Sequence, residues 1–222
     1  MPKSTTIGDV QFERFIQSSF RIKSGETVVY IDPHRISQGE KADLILVTHE
    51  HFDHLDAESI KALEKDDTVI VVNAACAANL QGKVKGKVVS VEEGQTANQK
   101  GVDIRAVPGY NNIHPRGFNV GFVFNLGGQT IYHAGDTGRV PEMASLGSID
   151  VALLPIGGTY TMDEREAAEA VKAIKPKVAI PMHYKTFPIL EQNANRFVEL
   201  AKKEAPQVKV VVLEPGQEYK LE

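Results

Sequence analysis

Short runs of β-branched and aromatic residues, each closed by Gly, Pro, Asn or Asp, recur along this chain and restrict it to a fold dominated by sheet. They fall at 27–31, 44–48, 68–72, 87–91, 102–107 and 121–125, then at 130–132, 151–154, 178–181 and 208–213. Between 122–124 and 130–132 lies Asn125-Leu126-Gly127-Gly128-Gln129, whose paired glycines supply the positive φ of a hairpin turn. Helical patterns intervene. At 163–175, Ala167, Ala168, Val171 and Ile174 share one face, Asp163 and Glu166 have the spacing of a capping box, and Pro176 follows the end. A second helix is expected at 190–205, with Leu190, Ala194, Phe197, Val198 and Ala201 inward, and a shorter one after Asp56 carries Ile60 and Leu63. Strands early, then strands alternating with helices in both halves, predict an α+β fold: an αββα sandwich of two mixed sheets with helices on the outer faces. No linker, repeat or low-complexity stretch divides residues 1–222, so one domain is expected.

At 222 residues such a domain buries roughly 70% of its unfolded surface without help from disulfides. A hydrophobic content of 42% and a charged content of 24% argue against disorder. The formal net charge is −4 and the cations are scattered, which disfavours nucleic acid as a partner. The N-terminal MPKSTTIGDVQF lacks the apolar core of a signal peptide, and no stretch approaches the ~20 apolar residues of a membrane span. With Cys76 as the only cysteine, and Ala on either side of it, that thiol is read as a small buried hydrophobe in a reducing cytoplasm.

The segment Thr48-His49-Glu50-His51-Phe52-Asp53-His54 concentrates three imidazoles and a carboxylate just after the apolar run at 44–47. Extended residues two apart face the same way, so His49 and His51 can converge on one cation while Asp53 and His54 turn toward a second. Imidazole nitrogen suits Zn²⁺ and related ions, and a carboxylate adds a charge-neutralising oxygen. Two later apolar runs end in the same manner, one at His133-Ala134-Gly135-Asp136-Thr137 and one at His183. Strand ends that deliver ligands to one edge of packed sheets make an open metal site.

HxHxDH at 49–54, Gly135-Asp136-Thr137, His183-Tyr184 and Asp32 before Pro33 together resemble the metallo-β-lactamase superfamily over nearly the whole chain. The stretches TIYHAGDT, DVALLPIGGTYTM and AIPMHYKTFP are similar to its branch of small metal-dependent hydrolases related to ascorbate-6-phosphate lactonase. The resemblance implies His49, His51 and His114 on a first metal, Asp53, His54 and His183 on a second, and Asp136 bridging both. It also implies that Asp32 orients the ligand loop by hydrogen bonds. The chain departs from the pattern at Ile16-Gln17-Ser18-Ser19, where relatives often carry Gly-His-Ser or Gly-His-Ala, and at His114, which precedes Pro115 rather than a small residue. His133 receives no ligand role, and His34 stands in the loop after Asp32.

Two divalent ions, Zn²⁺ first with Mn²⁺ or Fe as alternatives, would bring a shared water to a pKa near ~7, and the resulting bridging hydroxide would attack an ester, lactone or phosphoester. Asp53 or Asp136 would shuttle the proton. Tyr184, Lys185 and Arg116 stand beside ligands in sequence and are expected to contact a small, anionic substrate. A phosphodiesterase or nuclease is the nearest alternative, though its basic groove is missing from the composition. A flavodiiron-type oxidoreductase typically has Glu at the position of His51 and a flavodoxin-like domain, and this chain has neither. A non-catalytic metal-binding protein would need a lost ligand. Oligomeric state is left open.

Overall fold

The computed structural model describes residues 10–191 and 193–221. Residues 1–9, most of the stretch where the sequence offers no signal-peptide core, lie outside them. Two seven-stranded sheets face each other. The first contains β1 (Val10–Arg14), β2 (Phe20–Ser24), β3 (Thr27–Ile31), β4 (Leu44–Val47), β5 (Val69–Val72) and β6 (Lys87–Ser90) in chain order. The second runs from β7 (Thr96–Gln99) through β8 (Val102–Gly109), β9 (Asn119–Leu126), β10 (Gln129–His133), β11 (Val151–Pro155) and β12 (Val178–Met182) to β13 (Lys209–Val210). The last strand, β14 (Glu218–Lys220), returns to pair antiparallel with β1. Each sheet is antiparallel on one side and parallel on the other, as expected of a mixed sheet.

Period-two alternation explains the layers. In β4, Leu44 and Leu46 enter the core between the sheets, whereas Ile45 and Val47 face the other way. There they meet Ile60 and Leu63 of α1 (Ala57–Leu63) and Cys76 and Leu80 of α2 (Ala74–Leu80). Since both faces of β4 are covered, all four of its residues are buried and its sequence is continuously apolar. On the outside of the second sheet, α3 (Glu164–Ile174) turns Ala167, Ala168, Val171 and Ile174 inward behind a complete Asp163–Glu166 capping box, and α4 (Asn195–Glu204) packs Phe197 and Ala201 beside it. Helices outside two packed sheets make the expected αββα sandwich.

Local departures have local causes. The helix expected from Leu190 begins only at Asn195, because Glu191 N–H donates to Gly157 O and the Asn193 side chain accepts from Asn195 N–H. The Gly127-Gly128 pair closes the β9–β10 hairpin with φ of 58° and 75°. Cys76 is fully buried and burial pushes its thiol up, which suits a packing role. No helix among the described residues is long and apolar enough to cross a membrane.

Candidate metal centre

Every residue expected to bind metal hangs from the end of a strand. His49, His51, Asp53 and His54 follow β4 of the first sheet; His114 follows β8, Asp136 follows β10 and His183 follows β12 of the second. The seven side chains meet across the seam between the sheets. Two groups form, His49 with His51, His114 and Asp136, and Asp53 with His54 and His183, their ligand atoms within 4.8 Å of one another in each.

The spacing fits cations. His49 Nε2 and His114 Nε2 lie 3.1 and 3.3 Å from His51 Nδ1. Ligand nitrogens ~2.0–2.1 Å from a tetrahedral zinc stand roughly 3.3 Å apart, so these contacts have ligand-shell dimensions. Asp136 joins the groups: its Oδ2 is 3.9 Å from both His49 Nε2 and His114 Nε2 and 3.1 Å from His183 Nε2. Its Oδ1 and His54 Nε2 are 3.3 Å apart without the alignment of a hydrogen bond, and both are buried polar atoms left without a partner. Such orphans are costly unless something else fills their valence, and a cation does so.

Hydrogen bonds set the tautomers. Asp32 Oδ1 accepts from Thr48 N–H at 2.8 Å, and its Oδ2 accepts from the Thr48 hydroxyl at 2.8 Å and from His54 Nδ1–H at 2.7 Å. With Nδ1–H held by Asp32, it is His54 Nε2 that is directed at Asp136, and its proton is the one a cation there would displace. The Thr48 oxygen in turn accepts from His49 Nδ1–H at 3.0 Å, which frees His49 Nε2 in the same way. Asp32 thus ties Thr48 and His54 together by three hydrogen bonds.

Electrostatics of the metal-free cluster follow. Burial resists ionisation of Asp136, but His183 and His54 outweigh it and hold the carboxyl well below its ordinary range. Burial also lowers His54, yet Asp136 and Asp32 hold it well above the ordinary value. His49 and His114 are lowered, chiefly by burial, and are neutral ligands in waiting.

Several supporting residues were not legible in the sequence. Gln17, fully buried, donates from Nε2 to Asp53 Oδ2 at 2.7 Å and lies 3.2 Å from His183 Nε2, while its carbonyl accepts from His183 N–H. It occupies the segment where the Gly-His-Ser element was absent. Asn119 accepts from Asp136 N–H at 3.1 Å, and a Cβ on Gly135 would stand 2.3 Å from its oxygen, so Gly135 at φ 61° is required there. Asn111 accepts from the N–H groups of Ile113 and His114 and shapes the His114 turn. Phe118 packs beside the rings of His49, His51 and His114, 5.0–5.7 Å away. His133 donates to Ser18 O and accepts from Gly135 N–H, bracing two site loops without ligating. His34 packs edge-on to Phe52. Gln17, Asp32 and His183 all take positive φ, a strained conformation for side-chain-bearing residues that is concentrated here.

Five of the seven, His51, Asp53, His114, Asp136 and His183, floor a cleft of about 470 Å³. Arg116, Tyr184 and Lys185, expected to contact substrate, do not line it. Arg116 is clamped by Glu93 and Glu142, and Lys185 pairs with Glu214. Tyr184 is buried beneath the Arg14 guanidinium, 4.2 Å from its ring. Each of the three is held outside the cleft by these partners, whatever its distance from a candidate ligand along the chain.

Fold and ligand cluster define a metal-binding β-lactamase-type domain, and the family model described as "Beta-lactamase superfamily domain" matches residues 11–183. The chain belongs to this superfamily and, within it, to the UPF0173 metal-dependent hydrolases. A UPF0173 metal-dependent hydrolase of Methanopyrus kandleri is 36% identical over 91% of this chain and 96% of its own length. One from Pyrococcus abyssi is 41% identical over 81% of each chain. The solved structure of Igni18, a metallo hydrolase from Ignicoccus hospitalis, superimposes with a TM-score of 0.82 at 31% identity, covering 96% of this chain and 98% of that one.

Proposed function

We propose that this chain is a dinuclear hydrolase that cleaves an ester, lactone or phosphoester bond of a small molecule. His49, His51 and His114 would hold one divalent ion, Asp53, His54 and His183 the other, and Asp136 would lie between them. The observation that carries this is the position of Asp136 Oδ2, in reach of ring nitrogens from both groups. When bound, two such ions supply a water acidified toward a pKa of ~7 and an electrophile for the acceptor oxygen.

The chain's own residues supply the rest. Asp136, kept ionised by His183 and His54, balances cation charge. Asp53 is the more solvent-accessible of the cluster's two carboxylates, and Gln17 fixes one of its oxygens, which suits it to carry a proton from water to the leaving group. The nitrogen-rich ligand set favours Zn²⁺ and also accepts Mn²⁺ or Fe. A single buried thiol fits a reducing cytoplasm. The phosphodiesterase alternative loses ground because, among the described residues, no Lys or Arg lines the cleft.

The test is metal quantification on reconstituted protein, coupled to hydrolysis assays over lactones, carboxylic esters, thioesters and phosphodiesters. About two metals per chain and turnover of one class are expected. Fewer than one metal per chain defeats the dinuclear site, and full turnover by Asp136→Ala defeats the bridging role.

A further inference from the structure

Among the described residues, the large hydrophobic side chains left exposed are Phe52, Ile113, Tyr160, Ile189 and Val212. All but Val212 line the cleft whose floor is the ligand cluster, and Phe187 joins them. Exposure reaches 66% at Phe52 and 60% at Ile189. These residues come from separate loops, after β4, β8, β11 and β12, so the apolar rim is not one greasy segment but a convergence of both sheets. Phe52 and Phe187 meet at 6.3 Å between ring centroids, forming one wall. Cationic side chains nearby are already spent on Glu93, Glu142 and Glu214.

We infer that the scissile bond belongs to an uncharged ester or lactone bearing an apolar alkyl or aryl group, which packs against Phe52, Ile113, Tyr160, Phe187 and Ile189 while the carbonyl reaches the ligand floor. This rests on the hydrolytic function proposed above and differs from the anionic substrate expected from sequence. A rim this apolar would be covered with equal gain by another protein surface, but here it is concave and its floor is the ligand set, which a flat partner would seal off. A group lying in the cleft buries methylenes in succession, and each one contributes about a fourfold gain in kcat/KM until the cleft is full.

The test uses metal-reconstituted protein and p-nitrophenyl esters of straight-chain acids from acetate to octanoate, alongside esters of matched length ending in a carboxylate. The expected result is a rise of about fourfold per methylene over the first few, with each carboxylate-ended ester below its neutral counterpart. Ile189→Ser and Ile113→Ser should flatten the rise while retaining wild-type metal content. In parallel, calorimetry with 2-alkanones of increasing length reads binding without turnover, and affinity should rise with length in the wild type and not in the variants. Turnover without length dependence, or a preference for the carboxylate-ended series, overturns the inference and leaves the hydrolase standing. Length-dependent ketone binding with no ester turnover overturns the ester as substrate together with the proposed hydrolysis, and leaves only an apolar binding cleft. If the Ser variants split an oligomer and keep the length dependence, the rim is a contact between copies and the inference fails.

Discussion

Replacing Asp32 with Asn alters a single atom of a fully buried carboxylate and leaves the backbone at ease, since Asn tolerates the left-handed φ of 45° found there. All three of its partners donate: Thr48 N–H to Oδ1, the Thr48 hydroxyl and His54 Nδ1–H to Oδ2. A carboxamide must turn its NH₂ toward one of these positions. Against the fixed Thr48 N–H it meets a donor that cannot move, so the NH₂ goes to the Oδ2 side, where the hydroxyl can rotate and His54 can move its proton to Nε2. That nitrogen is the one directed at the second metal position. Charge-assisted hydrogen bonds contribute about 1.5–3 kcal/mol each, and the weakening of roughly one such bond's worth at His54 corresponds to about 10–100-fold in affinity for the ion it holds. A loss of about 2 kcal/mol in the metal-free protein lowers Tm by about 4–8 °C for a chain of this size. Chelator-competition titration separates the two ions, and scanning calorimetry gives Tm. Two metal affinities within twofold of wild type would refute the idea that Asp32 sets the His54 tautomer.

Gln17→Ala should loosen Asp53 and His183 together, lowering affinity for the second ion by about 10-fold, while Gln17→Glu, which can still accept but cannot donate, should fail to restore it in the same titration. Gly157→Ala would put a Cβ 2.4 Å from His183 O, so the His183 loop must shift; one metal per chain instead of two is expected by elemental analysis, with the fold retained by circular dichroism. The metal-free protein has a defined pH response. His54, raised, stabilises it fully below about pH 6.5, and this is lost as pH climbs through the folded-state value. Asp136, lowered, stabilises it above about pH 4, and this is lost as pH falls through its folded-state value. Metal must displace the His54 proton, so the Tm gain on adding Zn²⁺ should grow from pH 6 to pH 8, and a constant gain would contradict that linkage.

How much of this was written in the sequence depended on whether the signal was local. The α3 capping box and the Gly127-Gly128 turn each state their geometry within a few residues, and β3, β4, β5 and β12 announce themselves by uninterrupted apolar runs. By contrast β1 carries Glu13 and Arg14 inside its pattern, β14 is only three residues long, and α2 is built from Ala and Asn with just Cys76 and Leu80 buried, so none shows a decisive period. The candidate ligands stood out in the sequence because three imidazoles and a carboxylate in six residues have little purpose other than metal binding. Gln17, Asn119 and His133 were not, since each acquires its role only when strands distant in sequence are brought together. Tyr184 and Lys185 misled for the opposite reason: they are neighbours of His183 along the chain but not around the cleft.

Because the ligands hang from strand ends in both sheets, a bound ion pair would act as a clasp across the seam at this one edge. Its effect on motion should be local. The loops at 49–54, 110–114, 135–137 and 183–186 would exchange their amide hydrogens more slowly once loaded, while the core strands, already locked between two apolar layers, would hardly change. The sandwich would then be a rigid frame that exists before its metals arrive, with loading spent on stilling the rim where substrate enters.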